Sequence, residues 1–591
     1  MCGISGILRT HNQANPIDRD ELIRTRDSMS TRGPDGTGQW ISPTLEIGLG
    51  HRRLAIIDLS PSGAQPMAWD NGRYHITFNG EIYNYRELRD ELSRAGVVLN
   101  THSDTEVLLA LYALYGVGMF AWLRGMYAFA IWDEQTHRLM LARDPYGIKP
   151  LYYATDGKYF RFASQVKALE ASGEISLETD PAGVVGFMLW GSVPEPYTIR
   201  RAVHALPAGH FMIVEQGRVG DPQAHYEWDA PVTPSFEDVQ SALLETVRAH
   251  LVADVPVGVF LSGGLDSTLL AALACRILPE PLRTFSLGFD SFVGKSYDEL
   301  PMANCVARKL GTCHTEKRIN SADMPDLWES VLAAMDQPTI DGFNVFVVSK
   351  FAHEVGLKVV LSGLGGDEMF GSYPSFRQVP QWLMWSKRAQ HVPGLNALWP
   401  PIAQRLRPSQ PKLKGLLKYN ADMGGMYFLR RGLYLPDELS DLIGQEMVEE
   451  GLRAYDPVEQ AGKLIGNSKD NWQAIHRLES GQYMRNQLLR DADWASMAHS
   501  LELRVPLVDV RLREYLCAHN FEPARSKGKV SLVRQMVPEL PEEIFTRAKS
   551  GFMFPIMQWL EPGELRKEHH WGADSRRLAV RILKGFIQSQ S

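Results

Sequence analysis

The stretch VFLSGGLDS, residues 259–267, ends an apolar run and opens a helical pattern that continues as TLLAALACRIL to residue 278. Two adjacent glycines let the backbone approach an anion closely, and the helix start behind them aims unpaired N–H groups at it. Ser262 and Ser267 add hydroxyls, and Asp266 can hold a magnesium ion on a phosphate. The spacing is not GxxxxGK[ST], so this is not a Walker A loop. A strand, a glycine turn and a helix in this order predict a parallel sheet with a phosphate site at its carboxyl edge.

The flanking sequence agrees. RTFSLGF (283–289) and LKVVLSG (357–363) read as apolar strands, and 236–252 and 297–310 read as helices. Such alternation predicts an α/β domain with a buried parallel sheet. A second loop, VVLSGLGGDEMFGSY (359–373), again follows a strand with glycines and acids, among them Asp367. Residues 373–435 read as an insertion of short helices, and the remainder as mostly helical.

Residues 1 to about 205 have another texture. Short β-like runs such as IGLGHRRLAIID (47–58), YHITFNGEIYN (74–84) and PLYYATDGKYFRFAS (150–164) alternate with turns such as Asp156-Gly157. Helical patterns at 85–95 and 104–115 interrupt them, which predicts an α+β layered domain. The domain bounds read as 1–210 and 230–591, with a Pro-rich connector between them.

The chain has 591 residues, a formal net charge of −7 and an apolar fraction of 44%. This is an ordinary globular composition with too much length for one core. The charge offers no case for nucleic-acid binding, and the basic cluster RSKGK (525–529) suits a phosphate pocket. No stretch approaches the ~20 uninterrupted apolar residues of a membrane span, and the start lacks signal-peptide features. The expectation is a cytoplasmic protein with no membrane partner. The five cysteines, Cys2, Cys275, Cys305, Cys313 and Cys517, are widely spaced without CxxC, so neither a disulfide framework nor a zinc ribbon is expected. Cys305 and Cys313 read as buried thiols near a helix end.

Cys2 has a chemical reason to stand where it does. After removal of Met1, one residue would carry both a thiol and a free α-amine. The ordinary amine pKa of ~7.7–8.0 leaves a useful neutral fraction near pH 7. That amine can serve as general base for its own thiol.

Several motifs together resemble a known family. MCGISGI, RGPDGTG (32–38), GHRRLAIIDLSPSGAQPM (50–67), FNGEIYNYRELR (78–89), HSDTEVLL (102–109) and ARDPYGIKPLYY (142–153) resemble class II glutamine amidotransferases. The resemblance implies an N-terminal-nucleophile glutaminase, an αββα sandwich in which Cys2 attacks glutamine. Asn79 and the Gly80 N–H would form the oxyanion hole, Arg53 would grip the substrate carboxylate, and Glu81 and Asp104 its ammonium group. Leu54, Ala55, Ile56 and Ile57 would complete the glutamine pocket. SGGLDS in turn resembles the pyrophosphate loop of N-type ATP pyrophosphatases, which implies adenylation of a carboxylate with release of pyrophosphate. On that resemblance, Leu261, Ser262, Gly263, Gly264, Asp266, Ser267, Leu287, Ser362 and Gly363 bind ATP. Asp266 and Asp367 hold Mg2+, and Lys529 contacts pyrophosphate and the acyl-adenylate. Without the resemblance, Lys529 reads as a solvated lysine.

Both halves in this order look like the glutamine-dependent asparagine synthetase family, and RNQLLRDADWASMAHSLELRVPLVD (485–509) extends the likeness into the C-terminal helices. The resemblance implies an internal ammonia passage, small-molecule substrates and a homodimer. Two positions depart from the family. Leu364 replaces the glutamate of the SGxGxDE loop, and MDQPTIDGFNVFVVSK (335–350) lacks the arginine expected near the aspartate site. Aspartate stays the default acceptor, a uronate or peptide-like carboxylate the alternative, and a beta-lactam or lasso-peptide type cyclase ranks lower. A tRNA modifier is disfavoured by the glutaminase half, and a non-catalytic regulator by retention of Cys2, Asn79, Asp266, Asp367 and Lys529.

Overall fold

The computed structural model describes residues 2–228, 238–392, 394–406, 411–419, 422–518, 528–547, 555–560 and 571–588. Thirteen strands build the first half: β1 (Gly3–Arg9), β2 (Gly36–Ile41), β3 (Ile47–Arg53), β4 (Met67–Trp69), β5 (Tyr74–Ile82), β6 (Gly125–Asp133), β7 (Arg138–Arg143), β8 (Tyr152–Thr155), β9 (Tyr159–Ala163), β10 (Val203–Ala205), β11 (His210–Glu215), β12 (Arg218–Val219) and β13 (Gln223–Ala224). They form one sheet in the order β10-β8-β9-β1-β3-β2 and a second in the order β12-β11-β7-β6-β5-β4, with β13 beside β11. The second sheet therefore continues beyond residue 210. The connector expected near 230 lies outside the described residues.

Period-two alternation divides the labour of these strands. On β6, Ala128, Ala130 and Trp132 face the first sheet and join Ile4, Leu49, Phe160 and Phe162 in a dry layer between the sheets. On β5, Tyr74, Ile76 and Phe78 turn outward to meet Leu88, Val107 and Leu108 of helices Tyr85–Arg94 and Asp104–Tyr115. The opposite face of β5 carries His75, Thr77, Asn79 and Glu81, a buried polar stripe. Helix Arg19–Asp27 lies along β1 and β3 on the other outer face, which completes the αββα order. The stretch Asp104–Trp122 is long and apolar enough to cross a membrane by composition, but it opens on two acids and half of it is buried in this fold.

The second half is built on five parallel strands, β14 (Val257–Phe260), β15 (Arg283–Phe289), β16 (Cys313–Ile319), β17 (Val359–Leu361) and β18 (Glu502–Arg504), in the order β16-β15-β14-β17-β18. Helices Leu265–Ile277, Leu300–Leu310 and Phe343–Glu354 make the crossovers. Two of the strands contradict the sequence reading. β16 is an exposed edge in CHTEKRI, so Cys313 is exposed and not a buried thiol. β18 interrupts the segment 485–509, read as helical, with three buried residues.

Between the halves, Arg32 donates to both oxygens of Asp493 at 2.7 and 3.1 Å, and Lys149 Nζ lies 3.4 Å from the same carboxylate. All three are buried. Burial works to raise the Asp493 pKa, but Arg32 and then Lys149 outweigh it and hold the carboxyl below its ordinary range. Burial draws Lys149 itself down, so Arg32 is the dominant partner. A carboxylate depressed in this way contributes stability above its unfolded pKa of ~3.9, and that contribution is lost as pH falls through the folded value. Asp493→Asn should lower unfolding stability by about 3–5 kcal/mol near pH 7. It should also flatten the acid limb of the stability curve. Urea unfolding from pH 7 to 3 checks both outcomes, and an unchanged midpoint would contradict them.

Candidate active site

The first site forms where β1 meets the polar stripe of β5. The Cys2 backbone N–H donates to Asn79 Oδ1 at 3.0 Å, and Arg32 Nε donates to the Cys2 carbonyl at 3.1 Å. Cys2 Sγ lies 4.0 Å from the Leu54 carbonyl, and burial pushes its thiol pKa up. Asn79 Nδ2 is buried with no hydrogen-bond partner among the described residues, a donor held ready beside the sulfur-bearing residue. Gly80 follows at φ +158°, where an added Cβ would stand 2.1 Å from the Met126 carbonyl. Only glycine fits that close approach.

The predicted glutamine-binding residues surround this point. Leu54, Ile56 and Ile57 are buried and Ala55 half-buried, and the Ala55 N–H donates to Asp35 at 2.9 Å. Arg53 donates to the carbonyls of Ser60 and Asp58 and pairs with no carboxylate among the described residues. Asp104 accepts from the Ile82 N–H at 3.1 Å, and burial lifts it to about 6. Glu81 is raised well above the ordinary range, first by burial and then by Glu502, against the pull of Arg504.

The second site lies at the carboxyl ends of β14 and β17. Ser262 Oγ and Ser267 Oγ are 3.0 Å apart, Ser267 Oγ donates to the Gly264 carbonyl, and the Gly264 N–H donates to Ser262 Oγ. Gly264 caps helix Leu265–Ile277 without a side-chain bond, so the helix start faces the crevice with its N–H groups. The loop after β17 folds onto this turn. A Cβ on Gly363 would lie 2.9 Å from Asp266 Cβ, and one on Gly366 2.6 Å from Asp266 Cγ. Lys529, far from solvated, is buried and reaches Asp266 at 2.7 Å and Asp367 at 3.1 Å. Burial opposes its charge, but the two carboxylates prevail and raise its pKa. Leu261 and Leu287 are buried beneath the crevice, and Ser286 Oγ bonds the Leu261 carbonyl.

One residue that sequence reasoning missed joins the two sites. Arg504 of β18 is fully buried; its Nε donates to Glu502 at 2.5 Å, its Nη1 to the carbonyls of His250 and Val252, and its Nη2 stands 3.4 Å from Glu81. Its own carbonyl accepts the Ser362 N–H at 2.9 Å. The guanidinium thus meets Glu81 in the first site while the backbone anchors the loop after β17 in the second. Arg504 lies in the segment 485–509 that carries the family likeness, but its local pattern, the charged run ELR, is too short to show a period. Glu368, Tyr373 and Arg431 were also missed: Tyr373 OH donates to Glu368 at 3.0 Å, and Arg431 packs on Tyr373 and pairs with Glu479.

A glutaminase-type pocket and a phosphate-type crevice, joined through a buried arginine, define a glutamine-dependent ligase. The chain belongs to the asparagine synthase family: residues 238–588 match its asparagine synthase model, and residues 1–227 match the glutamine amidotransferase domain. It is 33% identical to the glutamine-hydrolysing asparagine synthetase 1 of Bacillus subtilis, covering 95% of this chain and 88% of that one. A putative asparagine synthetase of Mycobacterium tuberculosis is 32% identical over 96% of this chain and 89% of its own. Amidase chry2 of Gibberella zeae is 28% identical over 95% and 90%.

Arg504 pulls the Glu81 pKa down against burial and Glu502. Arg504→Met should therefore move the acid limb of glutamine kcat/KM to higher pH, while Arg504→Lys restores part of the shift. A pH profile of glutamate release tests this. An unmoved limb in the methionine variant would show that Arg504 does not govern Glu81.

Proposed function

We propose that the chain hydrolyses glutamine at Cys2, adenylates an acceptor carboxylate in the 262–267 crevice, and joins the two products as an amide. The convergence of Lys529, Asp266 and Asp367 on one point carries the second step. In the first site, Cys2 attacks the glutamine amide and its own amine takes the thiol proton. Asn79 Nδ2 and the Gly80 N–H stabilise the oxyanion, Arg53 binds the α-carboxylate, and Glu81 and Asp104 bind the ammonium group. Leu54 to Ile57 wall this pocket.

In the second site, the turn 262–267 and the helix start cradle the phosphates of ATP. Leu261, Leu287, Ser362 and Gly363 take the adenine side. The two carboxylates fit magnesium, which binds through one or two acids and keeps its remaining ligands from water and phosphate. A Cβ on Gly363 or Gly366 would crowd Asp266, so these glycines let the loop that carries Asp367 close on Asp266. Bound there, magnesium would neutralise charge on the phosphates. Lys529 adds a fixed positive charge beside the leaving pyrophosphate.

The acceptor we propose is a carboxylate larger than aspartate. Leu364 is half-buried against the apolar core and offers no base. Arg431, one of the arginines bordering this region, is already paired with Glu479. The proton lost on amidation falls instead to Glu368, on the same loop, whose carboxyl accepts from Tyr373 OH at 3.0 Å and stands next to Asp367 in sequence. The names of the relatives favour the second reading, that aspartate itself is the acceptor.

Cys2→Ala should abolish glutamine hydrolysis yet leave amidation with free ammonia intact. Asp367→Asn should stop formation of AMP and pyrophosphate and spare glutamate release; ADP as product would contradict the adenylation step. Glu368→Gln should slow amidation by about 10²–10⁴-fold. On the acceptor, kcat/KM for aspartate should fall well below that of larger acids. Aspartate turnover that leads the panel and gains nothing from Leu364→Glu would establish the second reading.

A further inference from the structure

Beside the nucleotide crevice lies a cavity of about 430 Å³, within the size range of sites that engulf a whole organic ligand. Its walls are unlike those an amino acid such as aspartate requires. Trp190, Phe343, Tyr427, Tyr483, Ile556 and Met557 make most of the surface apolar and aromatic. Flat aromatic walls favour flat, π-bearing ligands that stack at their faces or edges. One side differs: Lys412, Arg430 and Arg431 line it together. Arg430 is held by Gln378 at 2.8 Å, and Lys412 Nζ donates to the Gly432 carbonyl. Burial, with Arg576 and Arg430 nearby, lowers Lys412 to about 8. Acids are also present, Asp341 and Asp574, so the cavity is not uniformly cationic.

The cavity adjoins the chemistry through one layer of side chains. Arg431 lies between Tyr483 and Tyr373, with its guanidinium carbon 4.0 and 4.3 Å from their ring centres. Tyr373 hydroxyl bonds Glu368, and Glu368 follows Asp367 in the loop that meets Lys529. A carboxylate activated at the crevice would thus have its body directed past Tyr373 and Tyr483 into the aromatic cavity.

We infer that this cavity holds the body of the acceptor, and that the acceptor is a carboxylic acid with an aromatic or aryl-bearing peptide body and a second anionic or oxygen-rich group facing Lys412 and Arg430. The inference rests on the adenylating function proposed above and narrows its substrate class. It disfavours aspartate, which would leave the aromatic walls untouched, and simple sugar acids, whose many hydroxyls would lose water to apolar side chains without replacement.

The test measures acid-dependent pyrophosphate release with ATP and magnesium. The probes are aspartate, galacturonate, N-acetylphenylalanine and glutamyl-phenylalanine, and the proteins are wild type, Ile340→Trp and Lys412→Met. Ile340 is a half-buried wall residue, so tryptophan there fills the cavity. The aryl acids should exceed aspartate by about tenfold or more in kcat/KM, the scale on which apolar pockets discriminate. Ile340→Trp should remove that advantage without changing glutamine hydrolysis, which also reports that the variant folds. Lys412→Met should raise KM for the two-anion glutamyl-phenylalanine more than for N-acetylphenylalanine. A preference for galacturonate or aspartate overturns the inference and leaves the adenylating function standing. So does unchanged aryl-acid turnover in both variants. Silence with every acid overturns the inference and the adenylating function together.

Discussion

A guanidinium sealed inside a protein must have every direction answered, because breaking a buried ion pair costs about 3–5 kcal/mol. Arg504 draws on three regions at once: its Nε and Nη1 bond Glu502 of its own strand and two carbonyls at the end of helix Val239–His250, while Nη2 makes only an ion pair, 3.4 Å from Glu81 of the other half of the chain. The arrangement fixes where β18 lies, and β18 in turn completes the edge of the parallel sheet beside β17. The loop that follows β17 is pinned by the Arg504 carbonyl. Much of the relation between the two sites follows from satisfying this one charge.

The acids around it live in the same low-dielectric space. Glu81, Asp104 and Glu502 share the buried space beside Arg504, so their ionisation is collective. Glu502 is held low while Glu81 is pushed high. A similar economy governs the crevice at the ends of β14 and β17, where two carboxylates and Lys529 hold one another. In both places buried charge gathers at the candidate site while the surrounding core stays apolar.

Much of this was legible from the chain alone because the decisive pieces are local. The strand–glycine–helix at 259–267 and the loop at 362–367 carry the motifs of the resemblance in consecutive residues, and the structure brings them face to face. The inner stripe of β5 was readable as alternation in YHITFNGEI, although its polar face looks like a solvent face until a second sheet covers it. What stayed hidden depends on tertiary partners. Lys529 has no local sign of burial, since Asp266 and Asp367 are more than a hundred residues away. β18 is three residues with two charges, a pattern that no periodicity separates from a turn. β16 alternates weakly because one edge faces water.

One further feature bears on how the chain behaves as a whole. The apolar cluster that lines the outer face of β5 and β6 does not stop at the boundary between the halves: Phe78, Leu108 and Phe129 belong to the same continuous packing as Val259, Leu270 and Val360. A seam of that kind makes melting a shared event. Heat or denaturant that loosens one half strips the cover from the other, so the two halves should lose structure together, in a single calorimetric transition. Cutting the chain at the connector would yield two fragments with oily faces, prone to aggregate when expressed apart and soluble when produced together.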